Sequence, residues 1–197
     1  MYVKICGLRE PGHVATAVEA GADAVGFVMT RSPRQVAPER AAELAALVPG
    51  HVLTVGVFRG EDPETVRAAA LTSGVRAVQL HGRHPHGDFT ALKDLGAVLV
   101  RAVDADADLR CGAYDEDLLL VDAPHAGSGQ PWDWAAVRGR PSGTWLLAGG
   151  LTPANVTEAV AAADPWGVDV SSGVESAPGV KDPALITAFL RAVRGAR

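Results

Sequence analysis

Eight short apolar, β-branched runs recur along the 197-residue chain, spaced by roughly 20 to 30 residues. They are Val3–Cys6, Ala24–Val28, Val52–Phe58, Ala77–Leu80, Val98–Val103, Leu118–Asp122, Trp145–Ala148 and Val168–Ser171. Most gaps hold an alanine-rich amphipathic stretch, which predicts helices over His13–Ala20, Pro38–Val48, Pro63–Thr72, Pro153–Ala163 and Pro183–Val193. Several open with proline in the first turn, where a missing N–H costs nothing, and Gly21, Gly50 and Gly74 follow as stops. Strand and helix in alternation imply a parallel sheet. Eight such units in about 200 residues match an α/β fold, a single (β/α)8 TIM barrel at the small end of its range. The rival is an open doubly wound sheet, which usually has fewer strands and a GxGxxG turn after the first; that turn is absent here. The weakest gap, Val103 to Leu118, carries Asp104, Asp106 and Asp108, and any helix there must be short. No linker or low-complexity segment interrupts residues 1–197, which are expected to form one catalytic barrel domain.

Composition narrows the function. The net charge of −5 argues against a nucleic-acid grip, which needs a basic field. Arginine supplies most cations, and lysine occurs only at Lys4, Lys93 and Lys181. No apolar run approaches the ~20 residues that span a bilayer, and the N-terminus enters a strand without a signal-peptide pattern. Cys6 and Cys111 make no disulfide framework. The expectation is a reduced, cytoplasmic protein, monomeric, with no nucleic-acid or membrane partner.

Parallel strands buried on both faces should be apolar throughout, so polar exceptions are informative. Reading each strand with period two assigns Lys4, Cys6, Gln79, His81, Arg101, Asp122, Asp169 and Ser171 to the barrel lumen. Ile5, Val78, Leu80, Val100, Val121, Val168 and Val170 then face the helices. Inward polar groups at C-terminal strand ends mark the catalytic mouth of this fold.

Lys4 lies two residues from Cys6 on one strand face, and a neighbouring cation favours the thiolate. The plainer reading of Cys6 is a buried inert thiol. Closure of the barrel brings strand 8 beside strand 1, so Lys4 and Asp169 are also candidates for a structural pair. Cys6 and Asp122, across the mouth from each other, can move a proton off one side of a substrate and onto another. Gln79 and His81 are read as lining the floor.

The glycines cluster after the later strands. Ala148-Gly149-Gly150-Leu151 follows strand 7 and Ser171-Ser172-Gly173 follows strand 8, where backbone N–H groups of this fold bind phosphate. Gly127 and Gly129, after strand 6, can add to the same pocket or to a lid. Arg34, after strand 2, offers a fork for a substrate carboxylate; without further support its default reading is a solvated loop arginine. His81, His84 and His86 have metal-like spacing, but no carboxylate or cysteine pattern completes a site, so no metal is expected.

Together these residues resemble the phosphoribosylanthranilate isomerase family of tryptophan biosynthesis. The matching segments run from Val3-Lys4-Ile5-Cys6-Gly7 through Ser32-Pro33-Arg34, Val78-Gln79-Leu80-His81-Gly82 and Gly127-Ser128-Gly129 to Gly167-Val168-Asp169-Val170-Ser171-Ser172-Gly173-Val174-Glu175 and Pro178-Gly179-Val180-Lys181-Asp182. The resemblance implies an Amadori rearrangement of N-(5-phosphoribosyl)anthranilate, the third step from chorismate to tryptophan, with no cofactor. It implies Cys6 as general base, Asp122 as general acid with a raised pKa, and Arg34 as the ligand of the anthranilate carboxylate. Phosphate binding falls on Gly149, Gly150, Ser172 and Gly173, with Gly127 and Gly129 contributing. The acidic limb of a pH–rate profile is then expected to follow Cys6 and the basic limb Asp122.

Two positions depart from the family pattern. Gln130 stands where a lysine is usual, and Gln35 where an aromatic residue is usual. A related aminobenzoate is therefore an alternative substrate. The competing functions are a bifunctional isomerase that also serves histidine biosynthesis, and a non-catalytic phosphosugar-binding barrel.

Overall fold

Eight parallel strands close on themselves in sequence order in the computed structural model, which describes residues 1–123 and 132–195. They are β1 (Tyr2–Cys6), β2 (Ala24–Val28), β3 (Leu53–Phe58), β4 (Ala77–His81), β5 (Val98–Asp104), β6 (Leu118–Asp122), β7 (Trp145–Leu147) and β8 (Gly167–Val170). Closure comes from β8 pairing with β1, in a register that sets Lys4 opposite Asp169. All eight expected strands are present, with ends shifted by at most one residue.

The helices are α1 (Pro11–Glu19), α2 (Pro38–Ala45), α3 (Pro63–Ser73), α4 (His86–Leu92), α5 (Val156–Ala163) and α6 (Pro183–Gly195). Proline opens α1, α2 and α3. Gly74, left-handed at φ 63°, closes α3. The alternation is less strict than the sequence suggests. No helix joins β5 to β6, and the described part of the β6–β7 connection has only a 3₁₀ turn at Trp134–Val137. After Ser171 the chain forms a 3₁₀ turn at Ser172–Val174 and then a small antiparallel hairpin, β9 (Glu175–Ala177) and β10 (Val180–Lys181).

One apolar layer fills the space between barrel and helices, around Ile5, Phe27, Phe58, Leu119, Phe189 and Leu190. The lumen holds two smaller clusters. Cys6, Ala24, Val28, Val55, Val57 and Ala77 form one; Val100, Ala102, Leu118, Leu120, Leu146 and Ala148 form the other. The barrel is thus a packed core with its polar groups gathered near one end.

The lumen assignment fails at β5. Val100 and Ala102 face inward, and Arg101 faces out. Its Nε donates to Glu116 at 2.7 Å, its other nitrogens donate to the carbonyls of Asp108 and Arg110, and its guanidinium lies 4.8 Å from the Tyr114 ring centre. A buried arginine needs such partners wherever it sits, so its charge alone does not reveal its face. The irregular segment that replaces the β5–β6 helix supplies them.

Candidate active site

The C-terminal strand ends open into a cavity of about 320 Å³ lined by Cys6, Arg34, Arg59, Gln79, His81, Asp122 and Asp169, among others. A smaller hollow of about 90 Å³ shares Arg34, Asp122, Asp169 and Ser171, and is walled by Gly149, Gly150, Leu151 and Ser172. The candidates from β1, β4, β6, β7 and β8 therefore meet in one place.

Cys6 ends β1. Its space depends on Gly26 across the β1–β2 pair, where a Cβ would stand 2.9 Å from Cys6 Sγ. Lys4, buried at 2 % exposure, places Nζ 2.8 Å from Asp169 Oδ1. Burial acts to lower the Lys4 pKa, but Asp169 and Cys6 outweigh it and hold the ammonium charged. Burial pushes the Cys6 thiol above its ordinary value, and Lys4 pulls it down without overcoming that rise. The sign expected for Lys4 is right; burial is the larger effect.

Asp122 ends β6. Burial pushes its pKa up to about 6, against the pull of the Ala123 N–H that donates to Oδ1 at 2.8 Å. Gly149 is left-handed at φ 84°, and a Cβ there would stand 2.7 Å from Asp122 Oδ1. This glycine thus leaves room for the carboxyl, apart from any role toward phosphate. His81 Nε2 lies 3.8 Å from Asp122 Oδ2. Burial, and then Arg59, lower the His81 pKa, so the ring is neutral at neutral pH and the contact is no ion pair. Gln79 is buried on the cavity wall, and its Oε1 has no partner among the described residues.

The two glycine loops pack against each other, since a Cβ on Gly173 would collide with the Leu151 carbonyl oxygen. Asn155 braces the first loop, accepting from the Thr152 N–H at 2.7 Å and donating to the Gly150 carbonyl at 2.9 Å. Gly149, Gly150 and Ser172 line the smaller hollow, and Gly173, also expected there, is not among its lining residues. Gly127, Gly129 and Gln130 lie outside the described residues.

Arg34 reaches the cavity, but its fork is not free. Nε donates to Glu175 Oε1 at 2.6 Å and Nη2 to Glu175 Oε2 at 2.9 Å. Sequence reasoning gave Glu175 and Lys181 no role. The available signal was compositional: the chain has three lysines, and Lys4 and Lys181 are both buried beside this mouth. The three histidines diverge. His84 accepts from the Gly60 N–H and pairs with Asp88 at 2.9 Å, and His86 pairs with Asp115 at 2.9 Å. Among the described residues, no group of three or more His, Cys, Asp or Glu side chains is placed to hold a metal ion.

A closed barrel with thiol, carboxyl and glycine loops converging at its C-terminal mouth defines a (β/α)8 barrel of the enzyme type, with its site built from the βα loops. More particularly, the chain belongs to the N-(5'phosphoribosyl)anthranilate (PRA) isomerase family, whose model matches residues 3–192. An N-(5'-phosphoribosyl)anthranilate isomerase of Paramagnetospirillum magneticum is 43% identical over 210 residues, covering 99% of this chain and 98% of its own. The crystal structure of TrpF from Jonesia denitrificans is 48% identical, with a TM-score of 0.91 over 100% of this chain and 98% of its own. A phosphoribosyl anthranilate isomerase solved in complex with reduced 1-(o-carboxyphenylamino)-1-deoxyribulose 5-phosphate is 35% identical, with a TM-score of 0.86 over 99% of each chain.

Proposed function

We propose that this chain catalyses the Amadori rearrangement of N-(5-phosphoribosyl)anthranilate to 1-(2-carboxyphenylamino)-1-deoxy-D-ribulose 5-phosphate, through one barrel domain and as a monomer. The observation that carries the reading is the pairing of Cys6 with an Asp122 of pKa about 6 on the wall of one cavity, in a chain of this family. A reduced, cytoplasmic setting suits a base that is a free thiol.

In this mechanism protonated Asp122 delivers its proton to the ribose ring oxygen. The C1–O bond breaks and the anilino nitrogen becomes an iminium. That cation acidifies C2, and the Cys6 thiolate removes the C2 proton to give an enolamine, which tautomerises to the C2 ketone. Each proton-transfer group contributes roughly 10²–10⁴-fold. The hollow beside Gly149, Gly150 and Ser172 takes the phosphate on backbone N–H groups, and Arg34 takes the ring carboxylate.

The test is turnover of N-(5-phosphoribosyl)anthranilate by the purified chain, followed by loss of anthranilate-type fluorescence and identification of the ketose product. Conversion well above the uncatalysed rate is expected. Tight binding of the product analogue without turnover would instead make this a phosphosugar-binding barrel.

A further inference from the structure

From the contacts around Arg34 we infer that the β9–β10 hairpin is a positioning clamp for the substrate's ring carboxylate, with Glu175 holding Arg34 in place and Lys181 keeping the assembly cationic. The inference rests on the reaction proposed above and assigns roles to two residues that this reaction does not itself name.

Arg34 is held by Glu175 and packs on Gly7, and the hairpin turn packs on its neighbour Pro33. Its Nε and Nη2 are engaged by Glu175, which leaves Nη1 as its unpaired nitrogen among the described residues. Its aliphatic stem crosses Gly7, where a Cβ would stand 2.7 Å from Arg34 Cδ. The hairpin turn lies against the preceding residue: Gly179, left-handed at φ 78°, would place a Cβ 2.5 Å from the Pro33 carbonyl oxygen. The Gly179 N–H also donates to Glu175 Oε2 at 3.2 Å. A long side chain that would otherwise lose rotamer entropy on binding is thus already fixed.

Charge explains why Glu175 alone is not enough. Arg34 and Glu175 together are neutral, and a neutral pair draws a carboxylate weakly. Lys181 restores a net charge of about +1. Its Nζ has three acceptors, Ser171 O at 2.7 Å, Glu175 Oε1 at 2.8 Å and Ser171 Oγ at 3.2 Å, which match the three N–H bonds of an ammonium. Ser171 in turn donates its hydroxyl to the Cys6 carbonyl at 3.1 Å, so the clamp is tied to the strand end that carries the thiol. Burial acts against ionised Glu175, yet Arg34 and Lys181 hold it ionised, with a pKa lowered to about 2.

The experiment compares two ligands: the reduced product analogue with its ring carboxylate, and the same compound with a plain phenyl ring. Their Kd values are measured by calorimetry on the wild-type chain and on Glu175→Gln, Lys181→Met and Glu175→Asp, with turnover alongside. Glu175→Asp keeps the charge but is one methylene shorter, so it tests the clamp should the other variants fold poorly. Wild type should prefer the carboxylated ligand by at least tenfold. Glu175→Gln and Lys181→Met should cut that preference by tenfold or more, and Glu175→Asp by a smaller factor. All three should leave the phenyl ligand within about threefold, and should raise KM more than they lower kcat. Equal losses for both ligands would make the hairpin a structural element only, and an unchanged preference would remove it from recognition. If wild type binds neither ligand and does not turn over substrate, the proposed reaction itself fails, which is a separate outcome.

Discussion

Lys4 Nζ sits 2.8 Å from Asp169 Oδ1 at the seam where β8 closes on β1, and the same ammonium pulls down the pKa of the Cys6 thiol. One buried cation therefore serves closure of the fold and the state of the proposed base. Removing one partner strands the other charge in the lumen, which costs roughly 3–5 kcal/mol. Lys4→Met and Asp169→Asn should each lower stability by about that amount in denaturant titrations, and the double variant should lose less than their sum. Single losses below about 1 kcal/mol would mean that the pair contributes little to closure.

Asp122 should cost the fold stability. Its folded pKa, about 6, is raised above the ordinary aspartate value of 3.8 that holds in the unfolded chain, so folding disfavours its charged form. The sign follows: the penalty is absent below about pH 4, grows between pH 4 and 6, and is complete above pH 6. Asp122→Asn removes it and keeps an oxygen for the Ala123 N–H. The variant should be more stable than wild type by roughly 1–3 kcal/mol at pH 7, with the gain vanishing near pH 4. A variant destabilised at pH 7 would contradict the burial account of this carboxyl.

The pH–rate profile should reverse the limb assignment expected from the sequence. With Asp122 near 6 and Cys6 above the ordinary thiol value, the single proton of the pair sits mostly on the wrong group, the thiol. The active form, Asp122 protonated and Cys6 ionised, is a minority tautomer of the singly protonated pair. Its population rises as Asp122 titrates and falls as Cys6 titrates, giving a bell with its acidic limb near pH 6 and its basic limb in the alkaline range. Conservative replacement of Lys4 by arginine, if it folds, should move the basic limb and leave the acidic one. A kcat/KM profile that declines from pH 6 upward would assign the limbs the other way.

Arg34 should matter through binding. Arg34→Ala should raise KM strongly with a smaller change in kcat. Because Glu175 takes the Nε–Nη2 edge, Arg34→Lys should recover only part of the loss, as a lysine cannot hold Glu175 and a substrate carboxylate together. Steady-state KM values separate the cases, and full recovery by lysine would mean that point charge alone suffices.

The barrel was legible because its strands are short β-branched runs and its helices carry proline starts and glycine stops, both local signals. Cys6, Asp122 and the Gly149–Gly150 loop were legible because polar or glycine residues interrupt apolar strand ends. Arg101 misled because strand parity is ambiguous when a buried cation finds partners outside the barrel, here Glu116 and two carbonyls of an irregular loop. The missing β5–β6 helix has the same origin, in a segment whose three aspartates gave a warning but no geometry. Glu175 and Lys181 were overlooked because Glu175 meets Arg34 from 141 residues away, and Lys181 meets Glu175 only once the β9–β10 hairpin forms. The net state of Cys6 was also hidden, since a sequence shows the neighbouring Lys4 but not the degree of burial.

The most direct measurement is single-turnover conversion of N-(5-phosphoribosyl)anthranilate by the chain and by its Cys6→Ser and Asp122→Asn variants, with the Kd of the reduced product analogue measured for each. Wild type should convert the substrate rapidly, and both variants should lose at least about 10²-fold in rate. Binding of the analogue should stay within about tenfold, or ~1.4 kcal/mol. Near wild-type conversion by either variant, or a loss of binding as large as the loss of rate, would contradict the assignment of Cys6 and Asp122 as the groups that move the proton.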